Sequence, residues 1–156
     1  MKIDWKKLII AVAIPLAVGG LAGLLTSSGV SEFEELKKPF LAPPAWLFPV
    51  AWSILYVLMG IASYRVWTVV TTYEKRKQAL FAYGVQLFFN FVWPIIFFNL
   101  QEYFFAFVWL VGLWMLIYVT FVQFKQIDRI AGWLLIPYLV WVAFAGYLNF
   151  GISILK

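Results

Sequence analysis

The 156-residue chain contains no cysteine and no histidine, and only 12% of its residues are charged. Without thiols or imidazoles the chain cannot form a disulfide, a thiolate nucleophile, a Cys or His zinc site, or an axial His or Cys ligand to haem. A soluble domain carries roughly 25% charged residues, because its surface must be hydrated. The low charge therefore excludes an ordinary soluble protein and leaves amides, hydroxyls and aromatic rings as the chemically useful groups.

The few charges leave five charge-free runs, and each run is long enough to cross a membrane. The runs cover residues 8–31, 39–64, 78–101, 103–124 and 130–155. A transmembrane helix needs about 20 apolar residues to cross about 30 Å of hydrocarbon. We therefore predict an all-α integral membrane protein, a five-helix transmembrane bundle that forms one domain over residues 1–156. The predicted spans are about 8–27, 46–70, 78–100, 103–124 and 130–153.

Basic residues predict how these spans are oriented. The side with the N-terminus and the connections 71–77 and 125–129 carries eight Lys and Arg residues, whereas the other side carries three. Because Lys and Arg accumulate on the cytoplasmic side, we expect a cell-membrane protein with a cytoplasmic N-terminus and an external C-terminus. The same bias explains the net charge of +5, so no nucleic-acid partner is expected. Arg65, at the end of span 2, is expected to reach the interface with its long side chain.

The first run has a second interpretation, because Lys6 and Lys7 before an apolar stretch also describe a secretory signal peptide. The apolar part exceeds the usual 7 to 15 residues, however, and no clear A-x-A site closes it. We therefore expect a retained span. Gly19 and Gly23 form a G-x-x-x-G pair within it, which lets another helix of the same or a second chain approach closely.

The connection between spans 1 and 2 is predicted to be an ordered loop. Ser31 and Glu34 have the spacing of a capping box, which predicts a short helix over Ser31–Leu36. Several prolines after this helix exclude further regular helix. We expect the loop to cover the external ends of the spans as a lid, although a merely solvated connection is the alternative. The lid residues are Pro43, Pro44 and Trp46.

Polar and aromatic residues recur at helical spacing in spans 2, 3 and 5. In span 3 the stripe at i, i+4, i+7 and i+11 from Gln86 carries two amides, which are costly in hydrocarbon unless they face protein, water or a ligand. We predict an aromatic-walled cavity in the external half, with Pro49, Pro94 and Pro137 interrupting the helices around it. In the alternative interpretation the amides bond neighbouring helices and the tryptophans simply pack. The candidate ligand-binding residues are Trp52, Tyr56, Gln86, Asn90, Trp93, Phe97, Trp141, Phe144 and Ala145.

Such a cavity suits a flat, hydrophobic and weakly polar ligand, because indole and phenol rings stack on planar π systems. A tetrapyrrole held without His or Cys would be a metal-free porphyrin. We expect no metal site and no required cofactor. The other short connections indicate that consecutive spans are antiparallel neighbours.

Three segments resemble the TspO/MBR family of tryptophan-rich sensory proteins and translocator proteins. They are KPFLAPPAWLFPVAWSILYVLMG at 38–60, NFVWPIIFF at 90–98 and LLIPYLVWVAFAGYLN at 134–149. The resemblance implies a five-helix bundle, commonly a homodimer, that binds porphyrins and sterol-like lipids beneath the first loop. By position, the family's cavity residues correspond to Trp52, Tyr56, Asn90, Trp93, Trp141, Phe144 and Ala145.

The resemblance also implies alternatives for the function. We expect a membrane-embedded binding protein of the sensor or translocator type for porphyrins. Light-dependent degradation of protoporphyrin IX, with Trp52 and Trp141 as catalytic residues, and a lipid-organising role are the other interpretations. Two departures from the family pattern stand out. Phe150 replaces a tyrosine of the sterol-recognition stretch, which argues against tight sterol binding there, and Leu41 stands where a tryptophan is common.

The predicted topology can be tested with single cysteines, because the chain has none of its own. Cysteines introduced at Ser31 and at Lys75 should react with a membrane-impermeant maleimide from opposite faces of the membrane. Labelling of both positions from the same face would contradict the five-span topology.

Overall fold

The computed structural model describes residues 2–29 and 38–155, and the described chain is helical without β-strands. Five stretches of it are long and apolar enough to cross a membrane, which confirms the predicted five-span fold. The predicted short helix over Ser31–Leu36 lies outside the described residues. The helices are α1 (Trp5–Thr26), α2 (Leu47–Thr68), α3 (Tyr73–Pro94), α4 (Tyr103–Ile127), α5 (Arg129–Leu134) and α6 (Ile136–Leu155).

Two spans contain more than one helical piece. A π-helical turn, Ile95–Asn99, continues α3 to complete span 3, and α5 and α6 together form span 5. A short 3₁₀ turn, Ser27–Gly29, follows α1. We call the end of the bundle with the N-terminus and Asp128 the basic end, and the end with residues 38–46 and 100–102 the loop end.

Side-chain caps begin three of the helices at the basic end. The carboxylate of Asp4 accepts a hydrogen bond from the backbone N–H of Lys7 at 3.2 Å, and the hydroxyl of Thr72 accepts one from Lys75 at 3.2 Å. Asp128 caps α5 in the same way. Each cap satisfies a backbone donor that the first helical turn leaves free.

The spans follow one another around the bundle in the order 1, 2, 5, 4, 3. Spans 2 and 3 contact each other less than the other consecutive pairs do, although Tyr56 and Asn90 bond directly between them. The expectation that consecutive spans pack side by side therefore holds only in part for this pair, because span 1 comes between them in the order around the bundle. Helix α1 approaches α2 closely at Gly60, where a Cβ atom would lie 2.6 Å from Cα of Val12. Only glycine at this position allows that approach.

The prolines differ in their effects on the helices. Pro49 is the third residue of α2, where the first turn needs no N–H, so the expected interruption at Pro49 is wrong. Pro137 does interrupt span 5. The first helix of the span, α5, ends before Leu135, and α6 begins after it. Pro94 ends α3, and the π-helical turn that follows brings two adjacent phenylalanines, Phe97 and Phe98, to one cavity.

An ion pair connects span 2 to the start of span 5. The guanidinium of Arg65 donates to both carboxylate oxygens of Asp128, and the same carboxylate caps α5 through the N–H of Ala131 at 3.3 Å. Arg65 is thus not only a residue that reaches the interface, as its position predicted. It joins two helices through a carboxylate that has a second structural role.

These two roles of Asp128 predict different losses for two substitutions. Asp128→Asn keeps a good capping side chain and loses the charge pair, whereas Asp128→Ala loses both. We expect Asp128→Ala to lower the free energy of unfolding by about 1 kcal/mol more than Asp128→Asn, the usual size of a cap. Reversible unfolding in mixed micelles measures the difference. Equal losses would show that the cap contributes nothing.

Candidate functional site

A cavity of about 690 Å³ lies in the loop-end half of the bundle between α1, α2, span 3 and α6. This volume falls within the roughly 300 to 1,000 Å³ of small-molecule sites. Aromatic rings from α2 and span 3 form most of its walls, with Trp93 and Phe97 5.2 Å apart and Trp52 and Tyr56 5.7 Å apart between ring centroids. The aromatic residues of the wall are Trp46, Phe48, Trp52, Tyr56, Trp93, Phe97 and Phe98.

The wall opposite these rings is made by small residues of α1. A Cβ atom added at Gly20 or Gly23 would meet nothing within 4 Å, so both positions border open space. Gly19 is different, because its Cβ would lie 2.1 Å from the ring of Tyr56. The two glycines of the G-x-x-x-G pair therefore do not both mediate contact between helices. Gly19 accommodates an aromatic ring and Gly23 leaves room in the cavity.

A chain of buried hydrogen bonds forms the floor of the cavity. The hydroxyl of Tyr56 donates to Oδ1 of Asn90 at 2.9 Å, and Nδ2 of Asn90 donates to the hydroxyl of Tyr138 at 2.6 Å. Tyr138 in turn donates to Oε1 of Gln86 at 2.6 Å. Unpaired amides in hydrocarbon cost free energy, so this chain of bonds is needed to hold Asn90 and Gln86 in a membrane span. The bonds join α2, α3 and α6.

Asn149 is a cavity residue that the sequence analysis missed. Its Oδ1 accepts a hydrogen bond from Nε1 of Trp93 at 3.0 Å, and its Nδ2 donates to the carbonyl of Tyr103 at 2.8 Å. Asn149 lines the cavity and is almost completely buried. The signal was present in the sequence, because Asn149 lies one helical turn beyond Ala145 on the predicted face of span 5.

The structure brings together most of the predicted site residues, but not all of them. Trp52, Tyr56, Asn90, Trp93, Phe97, Ala145 and the lid residue Trp46 line the cavity. Gln86 lies beneath the floor, bonded to Tyr138. Pro43, Pro44, Trp141 and Phe144 are not among the lining residues.

Trp141 lies next to the cavity wall rather than in it. Its ring is 6.5 Å from that of Trp52, at an interplanar angle of 89°, and 5.9 Å from that of Phe48. Phe144 contacts Trp141 in turn, with ring centroids 5.7 Å apart. Trp141 and Phe144 therefore pack behind the rings that line the cavity.

The described lining of the cavity contains no charged side chain. Its polar side-chain groups are hydroxyls, indole N–H groups and the amides of Asn90 and Asn149. In the parts of the chain that the structure describes, no three His, Cys, Asp or Glu residues come together in a group able to hold a metal ion. The site can therefore offer stacking, enclosure and neutral hydrogen bonds to a ligand.

Comparison with known proteins agrees with this description. The family model for the TspO/MBR family matches residues 11–155. Protein CrtK of Rhodobacter capsulatus is 39% identical over 89% of this chain and 86% of its own length. The tryptophan-rich protein TspO of Chlorobaculum tepidum is 36% identical over 93% of this chain and 92% of its own. The human translocator protein is 37% identical over 78% and 73% of the two chains.

The fold and the cavity define a multi-pass α-helical membrane protein with an aromatic, uncharged internal site. The sequence match, which covers most of the chain, identifies the protein family more specifically than the fold does. The chain belongs to the TspO/MBR family, which confirms the resemblance seen in the three sequence segments.

Two neighbouring glycines of α1 provide a test of the cavity geometry. Gly19→Ala forces the ring of Tyr56 away from its position and breaks the bond to Asn90, so we expect a loss of about 1 to 3 kcal/mol in the free energy of unfolding. Gly20→Ala should be neutral or stabilise by up to about 1 kcal/mol, because its Cβ meets open space within a helix. Unfolding in mixed micelles compares the two variants. Similar effects of both would contradict the contact between Gly19 and Tyr56.

Proposed function

We propose that this protein is a membrane-embedded binding protein, of the sensor or translocator type, for porphyrins and similar flat hydrophobic molecules. The observation that carries the proposal is the cavity itself, which combines about 690 Å³ with aromatic walls and an uncharged described lining. Planar π systems stack on such rings. The ligand itself is a proposal supported by this geometry and by membership of the family.

The polar groups of the cavity are suited to orienting a weakly polar ligand. Asn90 and Asn149 each use one amide N–H and one oxygen lone pair in their bonds to the protein. Each amide retains a second N–H and a second lone pair. A ligand can therefore be held by stacking on Trp52 or Trp93 while one or two neutral hydrogen bonds set its orientation.

The absence of charge in the described lining limits what the cavity can enclose. A carboxylate in such a site would lose its hydration without gaining a cation. We therefore expect the propionate groups of a porphyrin to stay at the mouth, towards water or the headgroup region. A neutral porphyrin diester should bind at least as tightly as the free acid.

Light-dependent degradation of protoporphyrin is the second candidate function, supported by the contact between Trp52 and Trp141. In this mechanism the photoexcited porphyrin would pass one electron to dioxygen, and the resulting porphyrin radical cation and superoxide would combine to an oxygenated, ring-opened product. Trp52 would exchange an electron reversibly with the porphyrin radical, and Trp141 with Trp52, so that no net electron leaves the protein. The step needs no acid or base. Trp52 lines the cavity, so it would exchange the electron with the porphyrin directly, and Trp141 would act through it.

Orientation and assembly belong to the same proposal. The excess of Lys and Arg at the basic end supports a cytoplasmic N-terminus. Homodimer formation is proposed from family membership alone.

Binding can be tested by filling the cavity with one side chain. Gly23→Phe places a ring in the open space beside α1, whereas Gly84→Phe places one on the exposed face of α3, where a Cβ also meets nothing within 4 Å. We expect the dissociation constant for protoporphyrin IX in the dark to rise at least about tenfold for Gly23→Phe, equivalent to about 1.4 kcal/mol, and to stay unchanged for Gly84→Phe. Quenching of tryptophan fluorescence in nanodiscs measures it.

The same samples separate the candidate functions. Binding in the dark without loss of porphyrin absorbance under light supports the binding role alone. Progressive loss under light that is abolished by Trp52→Phe and reduced by Trp141→Phe supports photodegradation. Undiminished binding to Gly23→Phe would refute the cavity as the site, and the absence of any binding would favour a lipid-organising role.

A further inference from the structure

Two residues of the connection between spans 1 and 2, Pro39 and Phe40, pack against the side of α6. Pro39 lies so close to Gly151 that a Cβ atom there would be 2.6 Å from Cγ of Pro39. The hydroxyl of Tyr147, one turn earlier on α6, donates to the carbonyl of Phe40. Two separate contacts therefore fix residues 39 and 40 alongside the helix, although the sequence predicted that this loop lies over the external ends of the spans.

The depth of this contact follows from the length of span 5. Arg129 begins the span, and its charge belongs outside the hydrocarbon. About 20 residues at 1.5 Å each cross a core of about 30 Å, so the far boundary of the hydrocarbon falls near Phe150. Gly151 and Tyr147 lie on either side of that level. Pro39 and Phe40 are therefore at the boundary between hydrocarbon and headgroups.

A tight turn then directs two large apolar side chains away from the protein. The N–H of Ala42 donates to the carbonyl of Pro39 at 3.2 Å, and Leu41 has a φ of 72°. A positive φ at the third residue is the geometry of a type II turn and is unfavourable for leucine. Phe40 and Leu41 remain 83% and 68% exposed. Their exposure in water would be costly, whereas at this depth the side chains meet lipid.

We propose that the turn Pro39–Ala42 is an interfacial membrane anchor, with Phe40 and Leu41 inserted into the lipid beside the end of α6. Tyr147 supports this depth, because tyrosines with one polar tip collect at the interface. Ala45 and Trp46 of the cavity wall follow a few residues later in the chain. The anchor would therefore tie the segment that enters the cavity wall to the bilayer.

Collision accessibility of a nitroxide spin label tests the anchor. Single cysteines replace Phe40 or Leu41, with Val140→Cys on the exposed face of α6 as the lipid reference and Lys75→Cys as the water reference. The labelled proteins are placed in phosphatidylcholine vesicles. Dioxygen, which concentrates in hydrocarbon, and a water-soluble nickel chelate then act as the two relaxing agents.

We expect the oxygen-to-nickel collision ratio at both loop positions to exceed that at Lys75 several-fold and to stay below that at Val140, which lies near the middle of the hydrocarbon. A ratio equal to that at Lys75 would place the turn in water and overturn the proposal. Protection from both reagents, with dipolar coupling between labels, would assign the surface to a second copy of the chain and also overturn it. The measurement needs no ligand, so its outcome is independent of the proposed function.

Discussion

The structure depends on one constraint above the others, which is that an amide in hydrocarbon is costly unless it is hydrogen-bonded. Asn90 meets this requirement by bonding Tyr56 of α2 and Tyr138 of α6 at once. Three helices are therefore held together at the floor of the cavity. Above that level, small residues on α1 and aromatic rings on α2 and span 3 enclose a space instead of filling it. The cavity thus owes its floor to the same bonds that make its polar residues tolerable in a membrane.

Helix α1 has two different roles along its length. Gly60 of α2 lets the backbones of α1 and α2 meet near Val12, towards the basic end. Further along α1, Gly19 accommodates the ring of Tyr56, while Gly20 and Gly23 face open space. A helix with ordinary side chains at these positions would fill the site. The small residues therefore hold the helix pair together at one end and preserve the volume of the cavity at the other.

Much of this could be predicted from the sequence, because the membrane makes local signals decisive. Charge-free runs alone predicted the five spans, and the stripe from Gln86 to Phe97 predicted the face that surrounds the cavity and its floor. The depth of individual residues could not be predicted in the same way. Gln86 and Asn90 share a helical face, yet only Asn90 reaches the cavity, because Tyr138 lies between the two amides. Periodicity predicts that Trp141 lies in the wall, but Trp52 lines the cavity and Trp141 packs against it from behind.

Span 5 is built as two pieces that are fastened to different parts of the molecule. Its short first helix is held at the basic end through Asp128, which binds Arg65, whereas α6 is held through Tyr138 and Asn149 to the cavity region. Pro137 removes the backbone bond that would make the pieces one rod. Leu135 joins the two pieces through its backbone bonds to Gly132 and Leu139. A tilt of α6 that widened the cavity would therefore occur at Leu135 and leave the ion pair at the basic end in place.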